Sequence, residues 1–411
     1  MTMPKIIVGL GFGDEGKGMA VAHEVEKIIG NGKKPVVVRF NGGPQAAHNV
    51  RVRRGGRVLH HTHSQFGSGA LLGAMTYITR GMLFDPLAFV NEGSHLSKTL
   101  GRNAFKDVMV DTDCPVVLPL HVMANRDIEG RLRHGSTGSG VGVARKWLDA
   151  AANNDADPEM VVCLDDLGDS VELFEKLRYW QDVIGSSYDN SSLWQLSADD
   201  LWAWAKRLAN AHDTIYGPCI DNPERWKNID YLLRDEGTAV VFEGSQGMLL
   251  DKRVGWFPHV TYGDMDAFEA RRLCGDVRAT VIGVTRSYQT RHGNGPLPSE
   301  GTCDISERDN VTSEWAGEFR TGLLDVPSLA RAASATCADE IAVSHMDRYP
   351  GAYVGAWHRW RHDEGIDREV PYDPFVVKSD EGRLIKRIED CCHAPVTIVG
   401  SGPTTDDWHD R

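Results

Sequence analysis

A glycine-rich loop between a short apolar strand and a periodic helix constrains this sequence more than any other feature. Residues 9–19 read GLGFGDEGKGM, and the preceding run KIIVGL at 5–10 is typical of a buried strand. After the loop, apolar residues recur at helical spacing up to Gly30, which is a plausible stop. Because a helix N-terminus presents free N–H groups and a positive dipole end, we predict a phosphate site here.

The loop fits two phosphate-binding patterns imperfectly. The pattern G-x-x-x-x-G-K matches residues 11–17, but Gly18 stands where a P-loop has the Ser or Thr that holds magnesium. The pattern G-x-G-x-x-G matches residues 11–16, but Asp14 and Glu15 lie inside a cradle that normally carries no acid. A carboxylate beside a phosphate is repulsive unless a divalent cation lies between them. Asp14 therefore predicts a magnesium ion at this loop, and accepting a proton from a substrate is the alternative role.

Composition and charge exclude several classes of protein. The 411 residues carry a formal net charge of −13, which disfavours a nucleic-acid-binding protein. The eight cysteines are scattered without a C-x-x-C motif, so we expect reduced thiols and a cytoplasmic location. The N-terminus lacks a signal-peptide core, and no run of about 18 apolar residues is present. We therefore expect neither secretion nor a membrane span.

Further short runs rich in Val and Ile predict the fold class. They occupy residues 35–40, 238–244, 279–285, 340–345 and 395–400, and loop residues follow each run. We predict a single large α/β domain over 1–411, with a mostly parallel central sheet and a P-loop-like phosphate loop. Between about 150 and 235 the pattern changes, and Ser197 is an N-cap candidate before a periodic helix. That region is predicted to be a mainly helical insertion.

Several of these strand ends and loops carry side chains suited to a nucleotide. Ser136 and Thr137 lie among glycines and can bind a second phosphate, although a flexible linker has the same composition. Gln246 follows a strand, and its amide can donate to and accept from a purine edge. His48 follows the strand at 35–40; a lone histidine is more often a packed or surface residue than a catalytic one.

Taken together, these segments resemble the adenylosuccinate synthetase family along nearly the whole chain. The matching stretches are GFGDEGKG, the NGG and AAHN segments, GSTGSGVG, VFEGSQGMLLD, YQTRHGNGPLP, RTGLLD and SGP. The resemblance implies a ligase that joins the amino group of L-aspartate to C6 of a 6-oxopurine nucleotide. The family first moves the γ-phosphoryl group of a nucleoside triphosphate onto O6, and aspartate then displaces the phosphate.

The resemblance also implies roles for individual residues. Asp14 removes the proton from purine N1, His48 hydrogen-bonds the transferred phosphoryl group, and Gln246 completes the catalytic set. The magnesium ligands are Asp14 and the carbonyl of Ala47. The triphosphate is bound by Gly13, Glu15, Gly16, Lys17, Gly18, His345, Asp347, Ser401, Gly402 and Pro403. The nucleotide substrate is bound by Asn41, Gln45, Ser136, Thr137, Arg145, Gln246 and Thr261, and aspartate by Thr312, Ser313 and Arg320.

Two departures from the family concern the aspartate loop and the donor base. The family has several arginines before the sequence TGWLD, and one of them touches the ribose 2′-hydroxyl; here Glu318 and Phe319 precede Arg320. Losing that arginine suits a deoxyribonucleotide. The family also has Lys-x-Asp as its guanine-reading motif for GTP, whereas this chain has His345 before Asp347. ATP or dATP thus becomes a plausible phosphoryl donor.

A third departure concerns the acceptor purine. Gln45 replaces a family Asn near the base, and Ala47 replaces a Gly whose carbonyl ligates the metal. These changes resemble bacteriophage 2-aminoadenylosuccinate synthetases, which use dGMP with ATP or dATP and lead to diaminopurine. Many of those enzymes replace the catalytic Asp, which is retained here as Asp14, so ordinary synthesis from IMP and GTP stays the alternative.

Other function classes fit less well. A switch GTPase needs Ser or Thr at Gly18, and a nicotinamide dehydrogenase needs an acid where Arg39 stands. A catalytically dead regulator would be expected to lose Asp14 or His48. The expected partners are therefore small molecules, with no nucleic acid and no membrane. The family is a homodimer in which an arginine enters the partner's site, and Arg145 loosely matches that arginine.

Overall fold

The computed structural model describes residues 2–132, 135–188, 191–219, 228–307, 315, 317–362 and 369–411. Its helices are α1 Lys17–Gly30, α2 Pro86–Leu100, α3 Pro119–Leu132, α4 Val141–Ala152, α5 Ser170–Tyr188, α6 Ser191–Trp194, α7 Ala198–Tyr216, α8 Ile229–Arg234, α9 Phe268–Cys274, α10 Val326–Thr336 and α11 Glu381–Cys392. Its strands are β1 Lys5–Gly9, β2 Lys34–Arg39, β3 His48–Arg54, β4 Arg57–His63, β5 Met75–Ile78, β6 Val108–Val110, β7 Thr238–Gly247, β8 Thr280–Arg286, β9 Tyr288–His292, β10 Phe319–Asp325, β11 Glu340–Ser344, β12 Ala352–His362, β13 Glu369–Lys378, β14 Val396–Gly400 and β15 Trp408–Asp410.

Nine strands form a central sheet in the order β15-β14-β11-β8-β1-β7-β2-β5-β6. Every neighbouring pair from β14 to β6 is parallel, and β15 is antiparallel to β14. The strands that the sequence predicted form the middle of this sheet. The predicted fold class, a single α/β domain with a mostly parallel central sheet, is confirmed.

The sheet is buried on both faces, as its uniformly apolar strands require. On one face Ile7 of β1 packs in a core with Val25 of α1. On the other face Ile6 and Val8 pack with Leu232 of α8. All three β1 side chains are fully buried. Helices on both faces leave the ends of the parallel strands as the place where polar side chains can gather.

The described residues between about 150 and 235 form helices α5 to α8 and short 3₁₀ turns. Leu177 and Trp180 of α5 and Leu208 of α7 join the same core as α1. Ser197 caps α7 as predicted, because its hydroxyl accepts the Asp200 N–H at 3.2 Å and Asp200 accepts the Ser197 N–H at 2.8 Å. Within the described ranges, no helix is long and apolar enough to cross a membrane.

Two smaller β structures border the carboxyl edge of the central sheet. Strands β13-β12-β10-β9 form a four-stranded sheet, in which His292 lies opposite Phe319. Strands β3 and β4 form a two-stranded ribbon, in which His48 lies opposite His63. The cysteines whose side chains the structure describes are free thiols.

Candidate active site

The loops that carry the predicted site residues leave the same edge of the central sheet. Because β14, β11, β1, β7 and β2 run parallel, their carboxyl ends lie together. The phosphate loop follows β1, and Gln246 lies at the end of β7. Asn41 and Gln45 follow β2, while Asp347 and Ser401 follow β11 and β14. The fold thus brings five segments that are distant in sequence to one edge.

Glu15 braces the phosphate loop from inside. Its carboxylate accepts the N–H groups of Gly11 at 2.9 Å and Gly13 at 2.7 Å, and the Lys17 ammonium at 2.7 Å. Lys17 also donates to the Gly13 carbonyl at 2.8 Å. Burial alone would raise the pKa of Glu15, but the charge of Lys17 and these hydrogen bonds lower it overall. One of the two loop carboxylates therefore neutralises the loop lysine.

Gly16 and Gly18 lie where the backbone leaves no place for a side chain. Gly16 precedes α1 with a φ of 88°, in the left-handed region that favours glycine. A Cβ on Gly18 would lie 2.8 Å from the Cβ of His48 and 2.9 Å from the Ser68 hydroxyl. A P-loop Ser or Thr therefore cannot occupy position 18, so the close packing explains this departure from the P-loop pattern.

Asp14 keeps its carboxylate available, unlike Glu15. The carboxylate is partly exposed and makes no hydrogen bond within the described part of the chain. The imidazole of His292 lies beside it, with Nε2 at 3.6 Å from Asp14 Oδ2. The main chain is fixed instead, because the Arg286 guanidinium donates to the Asp14 carbonyl. An anchored backbone with an available carboxylate suits a general base or a metal ligand.

His48 is buried against the end of β7. Its Nδ1 lies 2.5 Å from Glu243 Oε1, and its Nε2 lies 3.0 Å from the Ser245 carbonyl oxygen. Both neighbouring atoms are acceptors, so only a protonated imidazole satisfies both at once. Burial lowers the pKa of His48 and outweighs the opposite effect of Glu243. The charge state of His48 therefore depends on the charge of any group that binds beside the imidazole.

Glu243 is the centre of a buried polar network that includes His48. Burial would raise the pKa of Glu243, but the charge of Arg39 and the hydrogen bonds from His48 and Ser68 lower it to about 2. The Ser68 N–H donates to Oε2 at 2.9 Å, and Arg39 lies opposite Glu243 in the β2–β7 register. Glu243 is thus a carboxylate at neutral pH that orients His48.

Two amide side chains lie at the neighbouring ends of β2 and β7. Both polar atoms of Gln45, and Oε1 of Gln246, are buried without a hydrogen-bond partner among the described residues. The loop after β2 packs tightly here, because a Cβ on Gly42 would lie 2.4 Å from the Ser245 side chain. The Asn41 amide is already hydrogen-bonded, since its Oδ1 accepts the Ser245 N–H and its Nδ2 donates to the Asp264 carbonyl. The two glutamines are the groups able to bind a ligand.

The Gly-rich segment at 135–142 presents two hydroxyl groups. The Ser136 hydroxyl lies 3.1 Å from the Asn125 amide nitrogen, which holds it in place. Thr137 is exposed, and its hydroxyl lies 2.8 Å from that of Ser139. Arg145 donates to the Gly81 carbonyl at 3.3 Å in its own chain, and its Nε is buried without a partner in the described ranges.

The ends of β11 and β14 form the opposite end of the site. Ser344 donates its hydroxyl to the Glu15 carbonyl at 2.7 Å, which ties this end to the phosphate loop. His345 has a φ of 57° and is half-buried. Burial, with Arg286 and Arg348 nearby, holds its pKa well below the usual value. Asp347 and Ser401 are exposed.

Arg320 is held by its own chain. It donates to Glu300 at 2.7 Å and to the carbonyls of Gly293 at 2.5 Å and Gly295 at 2.8 Å. Thr312 and Ser313, also predicted to bind aspartate, lie outside the described residues. Thr261 is half-buried, and its N–H donates to the Leu250 carbonyl at 2.8 Å.

Sequence reasoning missed four charged or polar groups beside the phosphate loop. Three of them form one cluster, in which Arg286 and the Tyr288 hydroxyl both donate to the Glu307 carboxylate, Arg286 at 2.8 Å. The fourth is His292, which lies beside Asp14. The signal available for Arg286 was its place at the end of an apolar strand, where the sheet edge gathers polar groups.

Comparisons with known proteins agree with this architecture. The family model for adenylosuccinate synthetase matches residues 6–373. The adenylosuccinate synthetase of Anaeromyxobacter sp. is 30% identical over 92% of this chain and 86% of its own length. That of Thermoplasma volcanium is 29% identical over 83% of this chain and 75% of its own length.

Two solved structures share the fold. The fully ligated adenylosuccinate synthetase from Plasmodium falciparum superposes with a TM-score of 0.77 at 17% identity, covering all of both chains. The cyanophage S-2L succinoaminodeoxyadenylate synthetase, PurZ, bound to dGMP and dATP as an energy donor, gives a TM-score of 0.57 at 18% identity. The latter match covers all of this chain and 95% of PurZ. The chain therefore belongs to the adenylosuccinate synthetase family of carbon–nitrogen ligases.

Proposed function

We propose that this ligase joins L-aspartate to C6 of dGMP, with ATP or dATP as the phosphoryl donor. The product is 2-amino-2′-deoxyadenylosuccinate, a precursor of diaminopurine nucleotides. Its expected partners are these small molecules, and we further propose a cytoplasmic homodimer that binds neither nucleic acid nor membrane. The observation that carries the choice of dGMP is the pair of buried acceptors at the ends of β2 and β7, which have no hydrogen-bond partner in the described part of the chain.

The acceptors in question are the Oε1 atoms of Gln45 and Gln246. A guanine base brings a 2-amino donor that hypoxanthine lacks. A buried acceptor that pairs with a substrate donor also discriminates against the analogue without it, because the acceptor is then left unsatisfied. Gln45 replaces a family Asn, so its longer amide is the change expected to serve the 2-amino group. These features support dGMP over IMP.

Asp14 is proposed to begin the reaction as the general base. Its carboxylate takes the proton from guanine N1, O6 then attacks the γ-phosphorus of the triphosphate, and the nucleoside diphosphate leaves. His48 donates its Nε2–H to the transferred group in place of the Ser245 carbonyl, while Glu243 holds its Nδ1. The amino group of aspartate finally attacks C6 and displaces the phosphate. Positioning and charge stabilisation carry most of the catalysis in phosphoryl transfer.

The residues at the loop fit the magnesium ion that the family implies. Asp14 offers a carboxylate that makes no hydrogen bond within the described ranges, and Ala47 is exposed with a carbonyl to offer. Both are hard oxygen donors of the kind that magnesium prefers. The ion would neutralise charge on the transferred phosphoryl group. Because Glu15 already neutralises Lys17, a cation here also relieves the repulsion between Asp14 and phosphate.

The donor end supports ATP or dATP. The family lysine that packs on guanine is absent, and the short imidazole of His345 in its place does not reproduce a long aliphatic stem. The proposed contacts to the triphosphate come from Gly13, Gly16 and Lys17 of the loop, and from the segment at 401–403. Asp347 is exposed at the same edge and available to the donor base.

The acceptor sugar is proposed to be deoxyribose. Glu318 and Phe319 stand where the family has arginines, and the Phe319 ring packs against His292 with centroids 4.7 Å apart. Arg320 already donates to Glu300 and two carbonyls. Nothing in this segment therefore supplies a spare guanidinium for a 2′-hydroxyl among the described residues. PurZ, with dGMP and dATP bound, provides a precedent for this substrate pair on this fold.

Ordinary adenylosuccinate synthesis from IMP and GTP is the second candidate. The relatives that match the chain along most of its length carry that name, and Asp14 is the base that the ordinary reaction uses. A substrate matrix separates the two proposals. IMP, GMP, dIMP and dGMP are each incubated with aspartate, magnesium and either ATP or GTP, and the succinylated products are measured by mass spectrometry.

A substitution at Gln45 sharpens this matrix. Gln45→Asn restores the family residue and should lower kcat/KM for dGMP more than for IMP. Gln195→Asn makes the same change at an exposed position of the helical region and should alter neither. An equal fall in kcat/KM for dGMP and for IMP would mean that Gln45 does not bind the 2-amino group. Absence of any succinylated product with all eight combinations would refute the ligase reaction itself.

A further inference from the structure

A histidine cluster outside the proposed active site lies between β4 and α2. The sequence HHTH occupies residues 60–63, and side chains alternate between the two faces of a strand. His61 and His63 are buried, while Thr62 and His60 are exposed. Glu92 of α2 lies against the two buried imidazoles. His-x-His on a strand and a carboxylate on the facing helix is an arrangement suited to a cation.

The buried nitrogen atoms of this cluster lack partners. His61 Nε2 and both ring nitrogens of His63 have no hydrogen bond among the described residues. Ligand atoms of His61, His63 and Glu92 all lie within 4.8 Å of one another, and His61 Nε2 is 3.8 Å from Glu92 Oε1. Burying polar atoms without partners is costly, so such groups call for a ligand. Lone pairs converging on a carboxylate specify a cation rather than an anion.

His95 offers His61 an outer hydrogen-bond partner of the kind that a metal-ligating histidine uses. Its Nδ1 lies 3.2 Å from Nδ1 of His61, and the two rings stack with centroids 5.2 Å apart. When His61 donates its Nδ1–H to His95, its Nε2 carries a lone pair directed toward the cluster. Such an outer partner is typical of histidines that ligate metals. His95 is exposed and follows Glu92 by one helical turn, so it also marks the solvent side.

We infer that His61, His63 and Glu92 bind a divalent transition-metal ion of the zinc type. Two imidazoles and one carboxylate, with an open fourth position for water, form a known zinc ligand set. Imidazole ligands favour zinc over magnesium or calcium. Ligand atoms around a tetrahedral zinc lie about 3.3 Å apart, given bonds of about 2.0 Å. From a separation of up to 4.8 Å, the ligand atoms must approach one another by up to about 1.5 Å, which imidazole rotation can supply.

The geometry gives this ion a structural role. Glu92 also accepts the N–H groups of Ser64, Gln65 and Phe66 at 2.8 to 3.1 Å, so it already holds the turn after β4. A metal ion would add the ribbon itself to this anchor. His63 lies directly opposite His48 in the ribbon register. The ion would thus hold β4, the strand paired with the one that carries His48, against α2, and this inference does not depend on the proposed substrates.

Another cluster of ligand-type side chains is already neutralised. His23, Glu24 and Asp410 come as close together as the first cluster. There, however, the Lys27 ammonium donates to Glu24 and Asp410 at 2.9 Å each, and His23 lies 3.1 Å from Asp410. A lysine occupies the place of a cation at that cluster. The unpartnered nitrogens set the cluster of His61 apart.

Cobalt titration tests the inference directly. The full chain is treated with chelator, dialysed, and titrated with Co²⁺ while visible absorption is recorded. We expect one equivalent to bind with the intense d–d bands of a four-coordinate site and without a thiolate charge-transfer band. His61→Gln and His63→Gln should each weaken binding by more than about 100-fold. His95→Ala should weaken binding by about 10- to 100-fold, the usual effect of losing an outer partner.

His60→Gln is the matched control, since it changes the exposed histidine of the same motif and should leave cobalt binding unchanged. Zn²⁺ should also raise the Tm of the wild-type chain by mass action, a readout that needs no variant. Absence of both the cobalt bands and the Tm shift would overturn the inference. So would wild-type cobalt affinity in folded His61→Gln and His63→Gln variants.

Discussion

Glu243 and His48 are 195 residues apart in sequence, yet the Glu243 carboxylate lies 2.5 Å from Nδ1 of the imidazole. The pair joins the middle of the sheet to the start of the β3–β4 ribbon. Since Ser245 places a second acceptor at Nε2, the structure around His48 favours the imidazolium while burial disfavours it. The balance between the two decides when His48 can donate a proton.

Glu243→Gln should move the pH dependence of kcat. We propose that the protonated imidazole is the acting form, because both ring nitrogens face acceptors, so activity falls as pH rises through the pKa of His48 in the ternary complex. Removing the Glu243 charge removes an influence that raises this pKa, so the alkaline limb should shift to lower pH. An alkaline limb at the same pH in Glu243→Gln and wild type would show that Glu243 does not control the protonation of His48.

Asp14→Asn should abolish turnover and leave the fold intact. Asparagine cannot take the N1 proton and is a poor magnesium ligand, and loss of a catalytic base costs about 10²- to 10⁴-fold. Because the Asp14 carboxylate makes no hydrogen bond in the described ranges, the Tm of the Asp14→Asn variant should stay within a few degrees of wild type. Steady-state rates within about tenfold of wild type would identify another base.

Glu15→Gln should show the opposite pattern, with a large loss of stability. The substitution leaves the fully buried Lys17 ammonium without its charged partner. Breaking a buried ion pair by removing one partner typically costs about 3–5 kcal/mol. Denaturant unfolding of Glu15→Gln and Asp14→Asn side by side measures the difference. Equal stability of the two variants would contradict the assignment of Glu15 as the internal brace.

His121 should make the protein sensitive to acid. Burial lowers the pKa of His121 from 6.5 to about 3, and its Nδ1 accepts the Leu118 N–H at 3.0 Å. Below pH 6.5 His121 binds a proton in the unfolded chain but not in the folded chain, so stability is lost as pH falls from about 6.5 toward 3. The loss is about 1.4 kcal/mol per pH unit in that window.

His121→Asn provides the test, because its Oδ1 can accept the same N–H without titrating. The free energy of unfolding of this variant should depend less on pH between about 6.5 and 3 than that of wild type. His409→Gln, a change at an exposed histidine, should keep the wild-type slope. Parallel curves for wild type and His121→Asn would place the acid sensitivity elsewhere.

The central sheet and its functional edge could be predicted because they depend on local sequence patterns. Apolar runs give β1, β2, β7, β8, β11 and β14, and glycine or polar residues after them mark the strand ends. The phosphate loop before α1 followed from the same reasoning. Ser197 was predictable as a cap because capping depends on neighbours within one turn.

The electrostatic partners of the site could not be predicted, because they depend on contacts between distant segments. Glu243 lies inside a strand whose apolar neighbours suggest only burial, and nothing local reveals that it meets His48. Sequence also gives no sign that Arg320 donates to Glu300 and two turn carbonyls. The same holds for the Gln45 amide, whose lack of a partner among the described residues depends on what the fold places around it.

The acceptor preference tests the proposed function most directly. kcat/KM is measured for dGMP and for IMP at saturating aspartate and magnesium, with ATP and with GTP in turn. The account predicts at least about a tenfold preference for dGMP, since an unsatisfied buried acceptor costs about 1–3 kcal/mol, and ATP should serve at least as well as GTP. A preference of tenfold or more for IMP under both donors would contradict it and identify an ordinary adenylosuccinate synthetase with a divergent aspartate loop.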